Sequence, residues 1–171
     1  MKLNEAERLI LYNQYRILQA LIPDEAKDFE NAATAIQSGY TQEYARAVSL
    51  SNELDEESCR EVKDILDMYR LLTAGYRDLT DKGGIDERRI KFSGFDGNDE
   101  TESAYLAYVS YLLDDLGLWS ELRRDGGYNN HNENLPVYRE MLRILEGCVD
   151  KIHLKKSEIE SILEHAPIAW G

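Results

Sequence analysis

The residues best suited to chemistry form one charged run, Asp86-Glu87-Arg88-Arg89, with aromatic side chains close behind it. Arginine keeps its charge in proteins, and its planar guanidinium presents a fork of donors that matches carboxylate or phosphate oxygens. The aromatic residues would supply apolar walls beside that charge. In one interpretation of this pattern, these residues form a pocket for a small anionic ligand. Its candidate binding residues are Arg88, Arg89, Phe92, Phe95, Tyr105 and Asn13.

A structural interpretation of the same residues is also open. In it, Arg88 or Arg89 turns inward, donates to backbone carbonyls and to Asp86 or Glu87, and holds a long loop over the helices. Asn13 interrupts an apolar stripe of the first helix, where a buried amide must find partners or cost about 1–3 kcal/mol. Its amide either braces a neighbouring loop or contacts the ligand.

Other site chemistries have weaker support. His131 and Glu133, with acids of residues 96–102, suggest a metal-assisted hydrolase, but no histidine pair has the i,i+4 spacing of a zinc helix. A calcium loop starting at Asp96 lacks the required glycine and bidentate glutamate. The sequence also lacks a phosphate-binding glycine loop, a Gly-x-Ser-x-Gly elbow and a Cys-x-x-Cys pair. We predict no metal and no cofactor, and we leave enzymatic activity open without favouring it.

Charge narrows the choice of partners. The chain has 171 residues and a formal net charge of -13, which repels nucleic acids and anionic membrane surfaces. Its N-terminal segment lacks the features of a secretory signal, and the longest apolar stretches are far shorter than the roughly 20 residues of a membrane helix. Cys59 and Cys148 fall on apolar sides of helical patterns and are typical of reduced core thiols. We therefore expect a cytoplasmic protein that binds neither nucleic acid directly nor a membrane.

Helical periodicity recurs along the chain, and strand-like alternation is nearly absent. We predict an all-α fold: a single compact domain, residues 1–171, of about six to seven helices in a bundle. One long irregular loop spans residues 81–101, and a polar loop spans 125–134. The first helix, Asn4 to Leu21, has two apolar stripes, which predicts packing on two sides. Trp170 is expected to pack on the domain or on a second copy.

The chain also resembles the YfbU family of small bacterial proteins. The resemblance rests on matching residues spread over nearly the whole chain: residues 8–15, 59–69, 85–89 with Phe92 and 94–96, 102–108, and Met141, Leu142 and Cys148. Residues between Trp119 and Pro136 depart from the family pattern. The resemblance implies one helical domain and gives no catalytic residues to transfer. Some relatives are joined to a helix-turn-helix segment, which implies that the domain senses a ligand.

These observations leave three functional hypotheses. The first is a cytoplasmic helical sensor or interaction module with an anionic small-molecule pocket between residues 85–96 and the helices that contain Asn13 and Tyr105. The second is a homo-oligomeric, protein-binding adaptor without a ligand, and a homodimer is its simplest form. The third is the metal-assisted hydrolase. The sequence alone identifies neither the ligand nor the partner.

Overall fold

The computed structural model describes residues 2–48, 50 and 52–169. Helices make up 64% of the described residues, which confirms the predicted all-α class. The eight α-helices within the described residues are α1 (Glu5–Leu21), α2 (Ala26–Ser38), α3 (Tyr44–Ala47), α4 (Glu56–Asp78), α5 (Glu87–Ile90), α6 (Glu100–Ser110), α7 (Leu135–Glu146) and α8 (Lys156–Leu163). Short 3-10 turns precede α2 and α3 and span Ser120–Leu122, and a π-helical turn, Tyr111–Asp115, extends α6.

Local signals place the helix ends. Asn4 and Glu7 form a capping box at the start of α1, Asp55 accepts from the backbone of Ser58 at the start of α4, and Gly39 ends α2 with a φ of 74°. The structure has one helix more than the upper end of the predicted six to seven, because α5 forms inside the predicted 81–101 loop. The Trp170 prediction lies outside the described residues.

The chain divides into two compact units, residues 1–53 and 54–171. The prediction of a single domain over residues 1–171 stays a prediction. In the first unit α1 packs along α2: the rings of Tyr15 and Phe29 stack at 6.4 Å, and Arg8 donates to the carbonyl of Ile36 at 2.9 Å. Within this unit α2 covers one side of α1, and Ile10 and Ile17 on the opposite side are exposed. The predicted packing of α1 on two sides stays a prediction.

The second unit is built around α4. Its buried face contacts the inward faces of α6, α7 and α8, and the loops before α6 and α7 close the core. Tyr69 of α4 lies at the centre, with ring contacts to Phe92 at 5.4 Å and to Tyr138 at 5.7 Å. Within the described residues the only β-type pairing is an isolated parallel bridge between Phe95 and Asn129.

Candidate functional site

The two predicted arginines lie on α5 and have partners within the second unit. The Arg88 guanidinium forms two hydrogen bonds with Asp86, at 3.0 and 2.7 Å. This side-chain pairing, with the Arg88 backbone N–H, holds the pKa of Asp86 at about 2. Arg89 donates to the carbonyls of Leu163 and Glu164 at 3.0 and 2.8 Å. These carbonyls lie at the C-terminal end of α8, where the helix dipole favours a positive charge. These are the contacts that the structural interpretation predicts; ligand contact by either arginine stays a prediction.

The three predicted aromatic residues form one continuous cluster. Phe92 and Phe95 have ring centroids 5.7 Å apart, and Phe95 and Tyr105 have theirs 5.5 Å apart, both edge to face. All three side chains are buried, so they belong mainly to the hydrophobic core and contribute little to the wall of an open pocket. Asn13 lies exposed on α1 in the first unit, and its place in a common pocket with them stays a prediction.

The loop that contains Phe95 pairs with the loop that contains Tyr128 and Asn130 through backbone hydrogen bonds. Phe95 donates its N–H to the carbonyl of Tyr128 at 2.9 Å, and its own carbonyl accepts from Asn130 at 2.9 Å. Gly94 has a φ of +89°, and a Cβ there would lie 1.9 Å from the Tyr128 carbonyl oxygen. The Gly94 carbonyl in turn accepts from the Tyr138 hydroxyl at 2.8 Å. Residues 92–98 are therefore fixed by backbone contacts that local sequence patterns do not show.

A buried carboxylate joins the same loops to α7. Glu102 is 1% exposed and accepts from the backbone N–H groups of Asp96, Asn134 and Leu135 at 2.7, 2.7 and 2.5 Å. The charge lies at the N-terminal end of α7, where the helix dipole favours an anion. Asn134 is the residue immediately before this helix, and its side chain makes no capping hydrogen bond. Its side chain instead donates to the carbonyl of Gly94, and Glu102 takes over the capping role from 32 residues away.

An open groove of about 650 Å³ lies beside α5 in the second unit. Its volume is within the roughly 300–1,000 Å³ range of small-molecule sites, and its lining is more apolar than polar. The walls come from α4 (Thr73, Tyr76), from α5 and the residues after it (Glu87, Ile90, Lys91, Phe92), from residues 121–126 with Asn129, and from Ala169. Phe92 is therefore the one predicted site residue that this groove includes.

Three cationic side chains line the groove. Arg124 donates to the carbonyls of Gly127, at 3.0 and 2.8 Å, and of Phe92, at 3.4 Å. Because these acceptors are neutral, the positive charge of Arg124 is not offset by them. Arg123 faces Asp114 at 3.3 Å. Lys91 is exposed and has no carboxylate within ion-pair distance in the described part of the chain. Sequence analysis missed Lys91 because its lack of an acidic partner shows only in three dimensions.

Two of the acids in the groove are already engaged. Glu87 accepts a hydrogen bond from the Tyr76 hydroxyl at 2.7 Å, and this contact raises the pKa of Tyr76. Glu121 pairs with Arg70 at 2.5 Å, and the bonded guanidinium lowers the pKa of Glu121. Glu87 and Glu121 thus have protein partners. Asp125 also lines the groove, and within the described residues neither it nor the ammonium of Lys91 has an ion-pair partner.

Tyr105 belongs to a different opening, of about 530 Å³. Its hydroxyl donates to Glu61 at 2.7 Å, and Arg139 donates twice to the same carboxylate, at 2.7 and 2.9 Å. The Arg139 hydrogen bond is the main reason why the pKa of Glu61 is lowered, although partial burial opposes it. Since Tyr105 faces this opening and Phe92 faces the other, the structure does not bring the predicted aromatic residues to one pocket mouth.

The proposed metal ligands do not converge. His131 has a positive φ of 57°, and its ring lies 3.5 Å from the amide of Asn98. Among residues 2–48, 50 and 52–169 no group of three or more His, Cys, Asp or Glu side chains is placed to hold a metal ion. Cys59 and Cys148 are free and half-buried.

The fold and the groove describe an all-α protein with a candidate binding site. A family model, described as the YfbU domain, matches residues 1–165. The chain therefore belongs to the YfbU family, as the sequence resemblance indicated. The match runs through both compact units and includes every residue of the groove except Ala169. In the described part of the chain no helix is both long enough and apolar enough to cross a membrane.

Proposed function

We propose that this protein is a helical sensor or interaction module that binds a small, partly apolar anion in the groove beside α5. The observation that carries the proposal is the Lys91 ammonium, which has no acidic partner among the described residues and lines a largely apolar groove. Arg124, which donates to loop carbonyls, and Arg123, which is paired with Asp114, line the same opening. An anion that brings an apolar body would match both the charge and the walls.

The cytoplasmic location is part of this proposal. Both cysteines are free thiols, which is usual in a reducing compartment. The proposal requires no metal, cofactor or catalytic residue, and it treats the protein as a binding module and not as an enzyme.

Binding of 8-anilinonaphthalene-1-sulfonate tests the proposal, because this probe combines a sulfonate with an aromatic body. Lys91→Glu reverses one charge at the groove without removing an observed contact. Exposed charge pairs contribute about 0.2–1 kcal/mol each, and reversal replaces one attraction by a repulsion of similar size, so it is expected to weaken probe binding about 2- to 30-fold. The matched control is Lys63→Glu, at an exposed position of α4 that does not line the groove.

The fluorescence titration has two informative outcomes. A loss of affinity in Lys91→Glu and unchanged affinity in Lys63→Glu support binding in the groove. Equal affinity in all three proteins, or no saturable binding by the wild type, overturns the proposal. Circular dichroism of each variant establishes that its helices are intact.

A specific observation also favours the adaptor hypothesis. The outer side of α1 exposes Ile10, Ile17 and Leu21 at 56%, 57% and 71% of their areas. Apolar side chains that recur on one side of a helix are typical of a surface that another protein covers.

A further inference from the structure

The segment that follows α8 returns to α5 and reaches the groove beside it. Ala169 donates its N–H to the carbonyl of Arg88 at 3.2 Å, and the carbonyl of Ile168 accepts from the Ser93 hydroxyl at 3.3 Å. Ser93 is itself buried and accepts from the Asn130 amide at 2.8 Å. Residues 168 and 169 are therefore held against the second unit, and Ala169, which is 4% exposed, forms part of the groove wall.

Covalent geometry brings the next residue to the same groove. Trp170 follows Ala169 directly in the chain and lies outside the described residues. Consecutive Cα atoms are about 3.8 Å apart, so the Cα of Trp170 lies at that distance from the Cα of a residue that lines the groove. An aromatic side chain of this size buries about 150–250 Å² when it packs. The groove therefore has a large, mostly apolar side chain of the same chain within reach.

The chemistry of the groove matches an indole in three ways. Its buried lining residues, Ile90, Phe92 and Leu122, are apolar and offer a surface for the ring system. The Lys91 ammonium has no carboxylate partner within the described residues, and a cation is attracted to the face of an indole. The Asp125 carboxylate has no basic partner there either, and it is an acceptor for the indole N–H, which can only donate. The volume of about 650 Å³ leaves room for this side chain.

We propose that the indole of Trp170 packs into the groove beside α5 of its own chain. The contact is autoinhibitory, because the side chain fills the space that we propose for the anionic ligand and the ligand has to displace it. The packing of Trp170 rests on the groove alone, whereas its role as a competitor rests on the proposed function. A competitor that one peptide bond joins to the groove wall acts at a local concentration in the millimolar range, so weak contacts are enough to keep it bound.

Nuclear Overhauser effects from the Trp170 indole test the packing without any ligand. Trp119 and Trp170 give the two indole N–H resonances of ¹⁵N-labelled protein, and Trp170→Phe identifies the second by its disappearance. The Trp119 indole donates to Asp67 at 2.7 Å, so its contacts serve as an internal reference. We expect effects between the Trp170 ring and the methyl groups of Ile90 or Leu122. Effects to residues outside the groove only, or none beyond neighbours in the sequence, overturn the proposal.

Displacement is tested by titration with 8-anilinonaphthalene-1-sulfonate. Trp170→Ala removes the competitor and is expected to tighten probe binding about 2- to 10-fold, the factor for a side chain that occupies the groove in about 50–90% of the molecules. The matched control is Val149→Ala, which shortens a fully exposed apolar side chain that does not line the groove. This control is expected to bind the probe as the wild type does. Circular dichroism establishes that each variant retains its helices.

The two readouts separate this proposal from the proposed function. Indole contacts in the groove together with tighter probe binding by Trp170→Ala support both. Indole contacts in the groove, when neither the wild type nor Trp170→Ala binds the probe, support the packing of Trp170 and overturn the anion site. Equal probe affinity in Trp170→Ala and the wild type overturns the autoinhibitory contact, because a groove that the indole fills cannot bind the probe equally well in both proteins.

Discussion

Glu102 is the residue whose replacement tests the architecture around the groove most severely. Its buried carboxylate accepts three backbone N–H groups, and no cation pairs with it in the described part of the chain. Glu102→Ala leaves these donors without their acceptor. A buried donor without a partner costs about 1–3 kcal/mol, which sets an upper range of about 3–9 kcal/mol. Water that enters the space left by the side chain recovers part of this cost, so we expect a loss of about 3–5 kcal/mol.

Urea denaturation followed by tryptophan fluorescence measures this loss. Both tryptophans, Trp119 and Trp170, belong to residues 54–171, so the signal reports on the second unit. The matched control is Glu100→Ala, one exposed position in the first turn of the same helix. It is expected to change the free energy of unfolding by less than about 1 kcal/mol. A loss below about 1 kcal/mol in Glu102→Ala would refute the reasoning, because the three hydrogen bonds would then hold nothing together.

Three further predictions concern the second unit. Gly94→Ala should lower its stability by more than about 2 kcal/mol in urea denaturation, whereas Gly126→Ala, which meets open space, should cost less than about 1 kcal/mol; equal effects would contradict the close approach of the loops. Tyr69→Phe should leave thermal stability unchanged or raised, because the buried Tyr69 hydroxyl lacks a hydrogen-bond partner in the described part of the chain; a clear loss would show that it has one. Arg139 holds the pKa of Glu61 below its ordinary value of about 4.5. The contribution of the Glu61–Arg139 contact to folding stability is therefore complete above pH about 4.5, and it is lost as the pH falls through the lowered pKa. Arg139→Ala should therefore reduce stability at pH 7 by about 1 kcal/mol and have little effect near pH 2, and a pH-independent effect would exclude this linkage.

The sequence predicted features that depend on neighbouring residues. Asn4 with Glu7, Gly39 and Asp55 act within a few positions of the helix ends that they set, so such signals belong to the local sequence. The 3.6-residue periodicity on which the all-α prediction rested matches the buried face of α4.

The candidate site was predicted less well, because distant parts of the chain form it. Glu102 caps a helix that begins 33 residues later, and no local pattern signals such a contact. Arg88 and Arg89 were the obvious cations, yet Asp86 and the end of α8 bind them. Lys91 carried no motif; its significance comes from the groove formed by α4, α5 and the 121–126 loop.

The most direct test of the central claim is to map where an aromatic anion binds. Backbone amide chemical shifts of ¹⁵N-labelled protein, titrated with 8-anilinonaphthalene-1-sulfonate, give this map without any substitution. The account predicts saturable shifts concentrated at Lys91, at residues 121–126 and at Asn129, which line the groove from separate segments. Shifts concentrated on α1, around Ile10 and Ile17, or shifts that do not saturate, would contradict it.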